Sequence, residues 1–178
     1  MKIVDILDRI CSLLMQEKVI VYSDPDDKRR RLVLEKLVEF YSHTGDSVKF
    51  IDVADILQDF FKTLDIERLQ REFLDLEKYD IVVIDNFDVG LFIKGVRIVL
   101  EGALSAYVRS DRGSLVLAST DTALSDPDVS KFLKQLGANV IVRYEEEELK
   151  TENKIVTLLK AFVKRFIKNL ESESVTVV

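Results

Sequence analysis

The sequence predicts an open three-layer α/β/α domain built around a mainly parallel, five-stranded sheet. Apolar residues switch repeatedly along the chain between a helical period and short continuous runs, a pattern typical of buried parallel strands joined by covering helices. The chain has 178 residues, 47% of them hydrophobic, which is enough for one full core and leaves little room for two. This alternation favours an open α/β sandwich over a barrel or a β-sandwich.

The individual elements follow from the apolar spacing and from the turn residues between them. The five apolar runs predict strands over residues 18–22, 48–53, 80–85, 114–119 and 139–144. Helical spacing predicts helices over residues 3–16, 32–43, 90–109 and 128–136, with two shorter helical patterns between residues 52 and 79. Thr44-Gly45-Asp46 and Ser110-Asp111-Arg112-Gly113 are typical of helix ends and turns.

The C-terminal part of the chain differs from the rest. We assign residues 1–150 to the α/β domain, with an N-terminal helix over 1–16 and a core over 17–144, residues 151–170 to an amphipathic helix, and 171–178 to a tail. The helix is predicted from a regular apolar stripe that includes Ile155, Leu159, Phe162 and Phe166. Two interpretations are open: the stripe packs on the sheet of its own chain, or it is an interface for a second subunit.

Composition limits the classes of function. The net charge is −6 and the pI is about 5.0, so nucleic-acid binding requires a local basic patch. The single cysteine, Cys11, and the single histidine, His43, argue against disulfides, zinc sites and histidine triads. With no signal-peptide pattern and no apolar run long enough to span a bilayer, we expect a cytoplasmic protein without a membrane partner. The abundance of charged residues suggests a thermophilic source.

One strand and one loop carry the strongest functional signal. The strand Ile81-Val82-Val83-Ile84-Asp85 ends in an acidic residue, and the carboxyl ends of the strands form the edge where open α/β sheets bind ligands. The loop after the first strand, Ser23 to Arg31, contains no glycine. A phosphate-binding loop needs glycines so that backbone N–H groups can surround the phosphates. Three aspartates in this loop would repel phosphate, and they are more typical of a turn that caps the next helix.

Further polar residues end the central strands. Asn86 follows Asp85, and Asp88 is close in sequence. Ser119-Thr120 end the fourth strand. We assign no residue a catalytic role, and Asp85, Asp88 and Ser119 are the candidates, with Asp85 also the candidate magnesium ligand.

In the order of these features, residues 17–144 resemble the P-loop NTPase superfamily, and specifically its RecA/KaiC-like and AAA+ branches. The resemblance implies a strand order of 5-1-4-3-2, with Asp85 and Ser119 on either side of the nucleotide crevice. It also implies that Ser23, Asp24, Asp27, Lys28 and Arg29 form the remnant of a phosphate loop. Because the glycines and the GKS/T ending are missing, the resemblance does not imply nucleotide hydrolysis, and we expect no cofactor.

Three hypotheses follow. The first is a non-catalytic RecA- or AAA+-like accessory protein that binds a related ATPase, or itself, in DNA recombination, repair or replication. The second is a nucleic-acid-binding module that uses the basic cluster Lys28, Arg29, Arg30 and Arg31, with weak and salt-dependent affinity. The third is an enzyme for phosphoryl transfer or nuclease chemistry, in which the crevice carboxylates Asp24, Asp26, Asp27, Asp85 and Asp88 hold Mg²⁺.

Overall fold

A computed structural model describes residues 2–144, which form one five-stranded sheet in which every pair of neighbouring strands is parallel. The strands are β1 (Val19–Ser23), β2 (Val48–Asp52), β3 (Ile81–Asp85), β4 (Ser114–Ser119) and β5 (Val140–Arg143). Their order across the sheet is β2-β3-β4-β1-β5. The predicted fold class and the implied strand order are confirmed.

Eight α-helices in the described residues connect and cover these strands. They are α1 (Ile3–Leu14), α2 (Asp27–Thr44), α3 (Val53–Thr63), α4 (Ile66–Glu72), α5 (Phe87–Leu91), α6 (Lys94–Ser110), α7 (Asp121–Leu124) and α8 (Pro127–Gln135), with a 3₁₀ helix over Leu76–Lys78. The single helix predicted over 90–109 is wrong in one respect: the chain leaves the helical conformation at Ile93, so that α5 and α6 are separate. The four-residue α7 is too short to show a helical period in the sequence.

The core lies mainly between the sheet and the helices that follow β2, β3 and β4. Alternate residues of the strands, such as Val21, Ile84 and Leu117, pack there against buried residues of α3, α4, α5, α6 and α8. The helices α1 and α2 pack against each other and against the sheet, where they bury apolar residues such as Ile10 and Leu37. Strands buried on both faces explain why their sequences read as continuous apolar runs.

The sequence predictions for the C-terminal part lie outside the described residues. These are the acidic run 145–148, the amphipathic helix 151–170 with Ile155, Leu159, Phe162 and Phe166, and the tail 171–178. Among the helices that the structure describes, none is long and apolar enough to cross a membrane.

Gly113 lies in a tightly packed position beside the hydroxyl of Tyr107. This hydroxyl donates a hydrogen bond to the carbonyl of Tyr79 at 3.0 Å. A methyl group on Gly113 would lie 2.1 Å from that hydroxyl and 2.5 Å from the carbonyl oxygen of Asp80. We therefore expect Gly113→Ala to lower the free energy of unfolding by about 1–3 kcal/mol in urea titrations.

Gly102 provides the matched control for this substitution. It lies inside α6, and a methyl group there would meet no atom within 4 Å. Gly102→Ala should therefore raise the free energy of unfolding by up to about 1 kcal/mol, since alanine favours the helix. Equal effects of the two substitutions would show that Tyr107 and the carbonyl groups do not enclose Gly113 as described.

Candidate functional site

The loop that follows β1 is a short helix cap. Only Asp24, Pro25 and Asp26 separate β1 from α2. The side chain of Asp26 accepts a hydrogen bond from the backbone N–H of Arg29 at 3.0 Å, and the side chain of Asp24 accepts one from the N–H of Asp26 at 2.9 Å. The predicted capping turn is thereby confirmed. Three residues without glycine cannot form the wide loop of N–H groups that surrounds a phosphate.

Arg30 occupies the crevice between the ends of β1 and β3. Its side chain is 1% exposed. The guanidinium donates from Nε to Asp85 at 2.6 Å, from Nη2 to the side-chain oxygen of Asn86 at 2.6 Å, and from Nη1 to Asp27 at 2.8 Å and to the carbonyl of Asp24 at 3.1 Å. A positive charge of the protein itself therefore lies against the carboxylate that is the candidate magnesium ligand.

Arg29 makes a second ion pair, with the fully buried carboxylate of Asp24. The guanidinium donates two hydrogen bonds to this carboxylate, both of 2.7 Å, in the two-pronged geometry that is strongest for arginine. The hydroxyl of Tyr22 donates to the same carboxylate at 2.9 Å. On its other side, the Arg29 guanidinium lies 3.5 Å from the centre of the Tyr144 ring, close enough for a cation–π interaction.

Arg31 makes the third contact of the same kind. It donates to Asp52, the last residue of β2, at 2.9 Å, and Asp52 also accepts a hydrogen bond from the side-chain amide of Asn86 at 3.0 Å. Asp52 is at the same time the N-cap of α3. Three successive arginines of α2 thus bind aspartates at the carboxyl ends of three different strands: Asp24 directly after β1, Asp85 of β3 and Asp52 of β2.

The buried charges in the crevice are paired and hydrogen-bonded. Burial raises the pKa of Asp85 above its ordinary value, and the adjacent Arg30 opposes that change. Burial also tends to lower the pKa of Arg30, but the carboxylates of Asp85 and Asp27 outweigh it and raise that pKa. No buried side-chain nitrogen or oxygen between residues 2 and 144 lacks a hydrogen-bond partner. A buried ion pair with all its hydrogen bonds made resists removal of either partner.

The end of β4 adds smaller polar contacts. The hydroxyl of Ser119 donates to Asp88, and its carbonyl accepts from the N–H of Asp24 at 3.1 Å. The hydroxyl of Ser23 donates to Asp121 at 2.8 Å, and Arg143 donates to the same carboxylate oxygen at 2.9 Å. These contacts connect the ends of β1, β4 and β5.

The structure thus brings together most of the residues singled out from the sequence. Ser23, Asp24, Asp27, Arg29 and Asp85 all lie at the carboxyl edge of the sheet, joined there by Asp88 and Ser119. Lys28 is exposed and makes no ion pair with another residue of the described part.

Contacts within the protein compete with two of the roles predicted for these residues. The guanidinium groups of Arg29, Arg30 and Arg31, predicted as a nucleic-acid contact, bind carboxylates of the protein itself. For the magnesium site, residues 2–144 contain no group of three acidic, histidine or cysteine residues placed to hold a metal ion.

The positions of these residues were predictable from the sequence, whereas their partners were not. Arg30 belongs to the predicted nucleic-acid-binding cluster, whereas in the structure it is the direct partner of Asp85, 55 residues away. Asp52, Asp121 and Tyr144 were not singled out at all. The available signal was the coincidence of three consecutive arginines with three strands that end in, or are followed by, an aspartate.

Comparison with solved structures shows that the domain has a known fold. The chain is similar to a DNA replication initiation factor, with a TM-score of 0.59 and 14% identity over 89% of this chain and 50% of the other. It is similar to domain III of the replication initiation protein DnaA from Thermotoga maritima, with a TM-score of 0.59 and 13% identity over 78% of this chain and 60% of the other. AMPPCP-bound DnaA from Aquifex aeolicus matches with a TM-score of 0.57 and 15% identity over 90% and 50%.

These similarities show the fold alone: the domain has the architecture of a P-loop NTPase, matching AAA+ domains. The chain spans between half and three-fifths of the length of these structures. No protein-family model and no curated protein matches the sequence.

Proposed function

We propose that this chain is a non-catalytic AAA+-like accessory domain that acts by binding another protein. In this proposal the side chain of Arg30 closes the crevice in which a related domain binds nucleotide. The observation that supports the proposal is the position of Arg30. Its guanidinium lies 2.6 Å from Asp85 and is held by four hydrogen bonds. In an active P-loop domain the phosphates of the nucleotide and the magnesium ion occupy this space.

The closed crevice disfavours magnesium chemistry for two physical reasons. The Oδ1 atom of Asp85 accepts two hydrogen bonds, from Arg30 at 2.6 Å and from the backbone N–H of Asn86 at 2.9 Å, so both of its lone pairs are engaged and neither is left for Mg²⁺. The buried guanidinium would also repel a divalent cation at close range. The other candidate carboxylates near this loop are also engaged: Asp24 is bound by Arg29, Asp27 is bound by Arg30, and Asp26 accepts the backbone N–H of Arg29.

The proposed setting is DNA replication, recombination or repair, with a P-loop ATPase as one candidate partner. It rests on the likeness to replication initiation proteins, and a shared fold does not by itself transfer a function. The arginines that would supply a nucleic-acid contact are engaged within the domain, which favours a protein partner over direct DNA or RNA binding.

Calorimetric titration of ATP and of ADP, each with Mg²⁺, into the purified chain tests the closed crevice. We expect no saturable heat up to millimolar nucleotide, because Arg30 must leave its four partners before a phosphate or metal can enter. Asp85→Asn is the matched variant, because it keeps the shape of the side chain and removes the charge. Saturable binding by the native chain that is lost in Asp85→Asn, with an unchanged circular dichroism spectrum, would contradict the proposal.

Partner binding is tested separately, with the full chain as bait in a nuclease-treated extract of its source. We expect a protein, such as a P-loop ATPase, to be retained after the nuclease step and to bind the purified chain when it is purified itself. Retention that depends entirely on nucleic acid would instead favour the nucleic-acid-binding alternative.

A further inference from the structure

The turn between α3 and α4 exposes three large apolar side chains, which we call the turn surface. Phe61, Leu64 and Ile66 lie within a span of six residues and are 60%, 72% and 48% exposed. The helix α3 begins beside the crevice, with Asp52 as its N-cap, and runs for 11 residues, or about 16 Å. The turn surface therefore lies apart from the crevice.

Leu64 has a backbone conformation that is unfavourable for leucine. Its φ of +52° and ψ of +24° place it in the left-handed region at the end of α3, where glycine is usual because it has no Cβ. Since most of the side chain is exposed, contacts within the described part compensate for little of this cost. A large apolar residue at a strained and exposed position, beside two further exposed apolar residues, points to a contact outside the domain.

The segment that carries the turn surface is also the acidic part of the domain. Residues 53–80, which connect β2 to β3, contain eight acidic and four basic residues, a net charge of −4. The rest of residues 2–144 contains 17 acidic and 16 basic residues. Beside the turn, Asp59 and Asp65 pair with Arg68 and Arg71, whereas Glu67 is exposed and forms no ion pair with another described residue. Positive charges on a partner would therefore complement this side of the domain.

We propose that the turn surface binds a basic, amphipathic segment of another protein. The apolar side chains of that segment pack against Phe61, Leu64 and Ile66, and its lysines or arginines lie beside the acidic residues of the turn. This inference rests on the proposed function and states the chemistry of the protein partner. The described part of a second copy fits less well, because its net charge of −5 opposes the approach, and nucleic acid is disfavoured for the same reason.

Fluorescence anisotropy tests the proposal, with a labelled helical peptide built from leucine and lysine at amphipathic spacing as the probe. We expect the full native chain to bind this peptide saturably. Raising the salt concentration from about 50 mM to about 500 mM should weaken the binding by at least about tenfold in Kd, because the charges on both partners are exposed. The matched probe has the same leucine pattern with glutamate in place of lysine, and it should not bind.

The variant Leu64→Gly separates binding from folding. Because glycine adopts the left-handed conformation readily, we expect the midpoint temperature of thermal unfolding to stay the same or to rise by up to about 4 °C. The same variant should weaken binding of the lysine peptide by at least about tenfold in Kd. Phe61→Ser should weaken it as well. Phe40→Ser is the control, because Phe40 is also exposed and beside another aromatic ring but lies on α2.

Four results would each overturn the proposal. They are no saturable binding by the native chain, equal binding of the lysine and glutamate peptides, a Leu64→Gly chain that binds as tightly as the native chain, and a Phe40→Ser effect as large as that of Phe61→Ser. Sedimentation velocity of the native chain alone adds a fifth. Self-association that is lost in Leu64→Gly would assign the turn surface to a second copy instead of another protein.

The two proposals fail independently. Nucleotide binding in the calorimeter would overturn the closed crevice and leave the peptide-binding data unaffected. A native chain that does not bind the lysine peptide would overturn the turn surface as a docking site, while the closed crevice and the retention of a partner from the extract would stand on their own measurements.

Discussion

Replacing Arg30 with alanine should lower the free energy of unfolding by about 3–5 kcal/mol, because the substitution leaves the carboxylate of Asp85 buried without its counter-charge. Asp85 is 2% exposed, so water cannot readily take the place of the guanidinium. The side-chain oxygen of Asn86 loses its 2.6 Å donor in the same variant. Urea unfolding followed by far-ultraviolet circular dichroism measures the loss.

The matched control for Arg30→Ala is an arginine in an exposed ion pair. Arg68 contacts Asp59 at 2.8 Å, and both side chains are about half exposed. Arg68→Ala should cost less than about 1 kcal/mol, since water replaces the lost partner. If Arg30→Ala proved no more costly than Arg68→Ala, the crevice would have to be open to water and the closed-site interpretation would be wrong.

A double replacement distinguishes the effect of the two charges from the effect of the volume that their side chains fill. Arg30→Met with Asp85→Leu removes both charges and keeps apolar volume in the crevice, so we expect it to be much less destabilising than Arg30→Ala alone. Such a result would show that each charge mainly offsets the cost of burying the other, and that the ion pair adds little net stability to the fold.

The fold was predictable from the sequence because its signals are local. Each strand is a short apolar run bounded by turn residues, and Ile81–Asp85 shows both the buried strand and the acidic residue at its end. The break between α5 and α6 at Ile93 was not predictable, because the apolar spacing continues through it while the backbone does not.

The site was only half predictable, since its chemistry depends on contacts between distant residues. The sequence shows that Asp85 ends a strand and that the loop after β1 lacks glycine. It does not show that Arg30, rather than Lys28 or Arg29, reaches Asp85, because that depends on where α2 crosses the sheet relative to β3. A run of four basic residues looks the same whether its side chains reach solvent or a neighbouring strand. Here three of the four bind aspartates.

Arg29→Ala should have an effect of similar size, about 3–5 kcal/mol, because Asp24 is fully buried and would lose two charge-assisted hydrogen bonds of 2.7 Å. Tyr22→Phe is the milder comparison. It removes only the 2.9 Å hydrogen bond from the tyrosine hydroxyl and should cost about 1 kcal/mol. Arg29→Lys should fall between the two, since an ammonium group cannot make the same two-pronged contact.

A double-mutant cycle tests whether the cost of losing Arg29 comes from its contact with Asp24. In an Asp24→Asn background the buried negative charge is gone, so Arg29→Ala should cost much less than it does in the native chain. The Tyr144 ring, which lies against the same guanidinium, provides a second readout in near-ultraviolet circular dichroism, a signal without tryptophan contributions because the sequence contains none. Additive energies in the cycle would mean that the cost of losing Arg29 comes from its other contacts, with Tyr144 and Asp26. Such a result would contradict the ion pair with Asp24 as the main stabilising contact of Arg29.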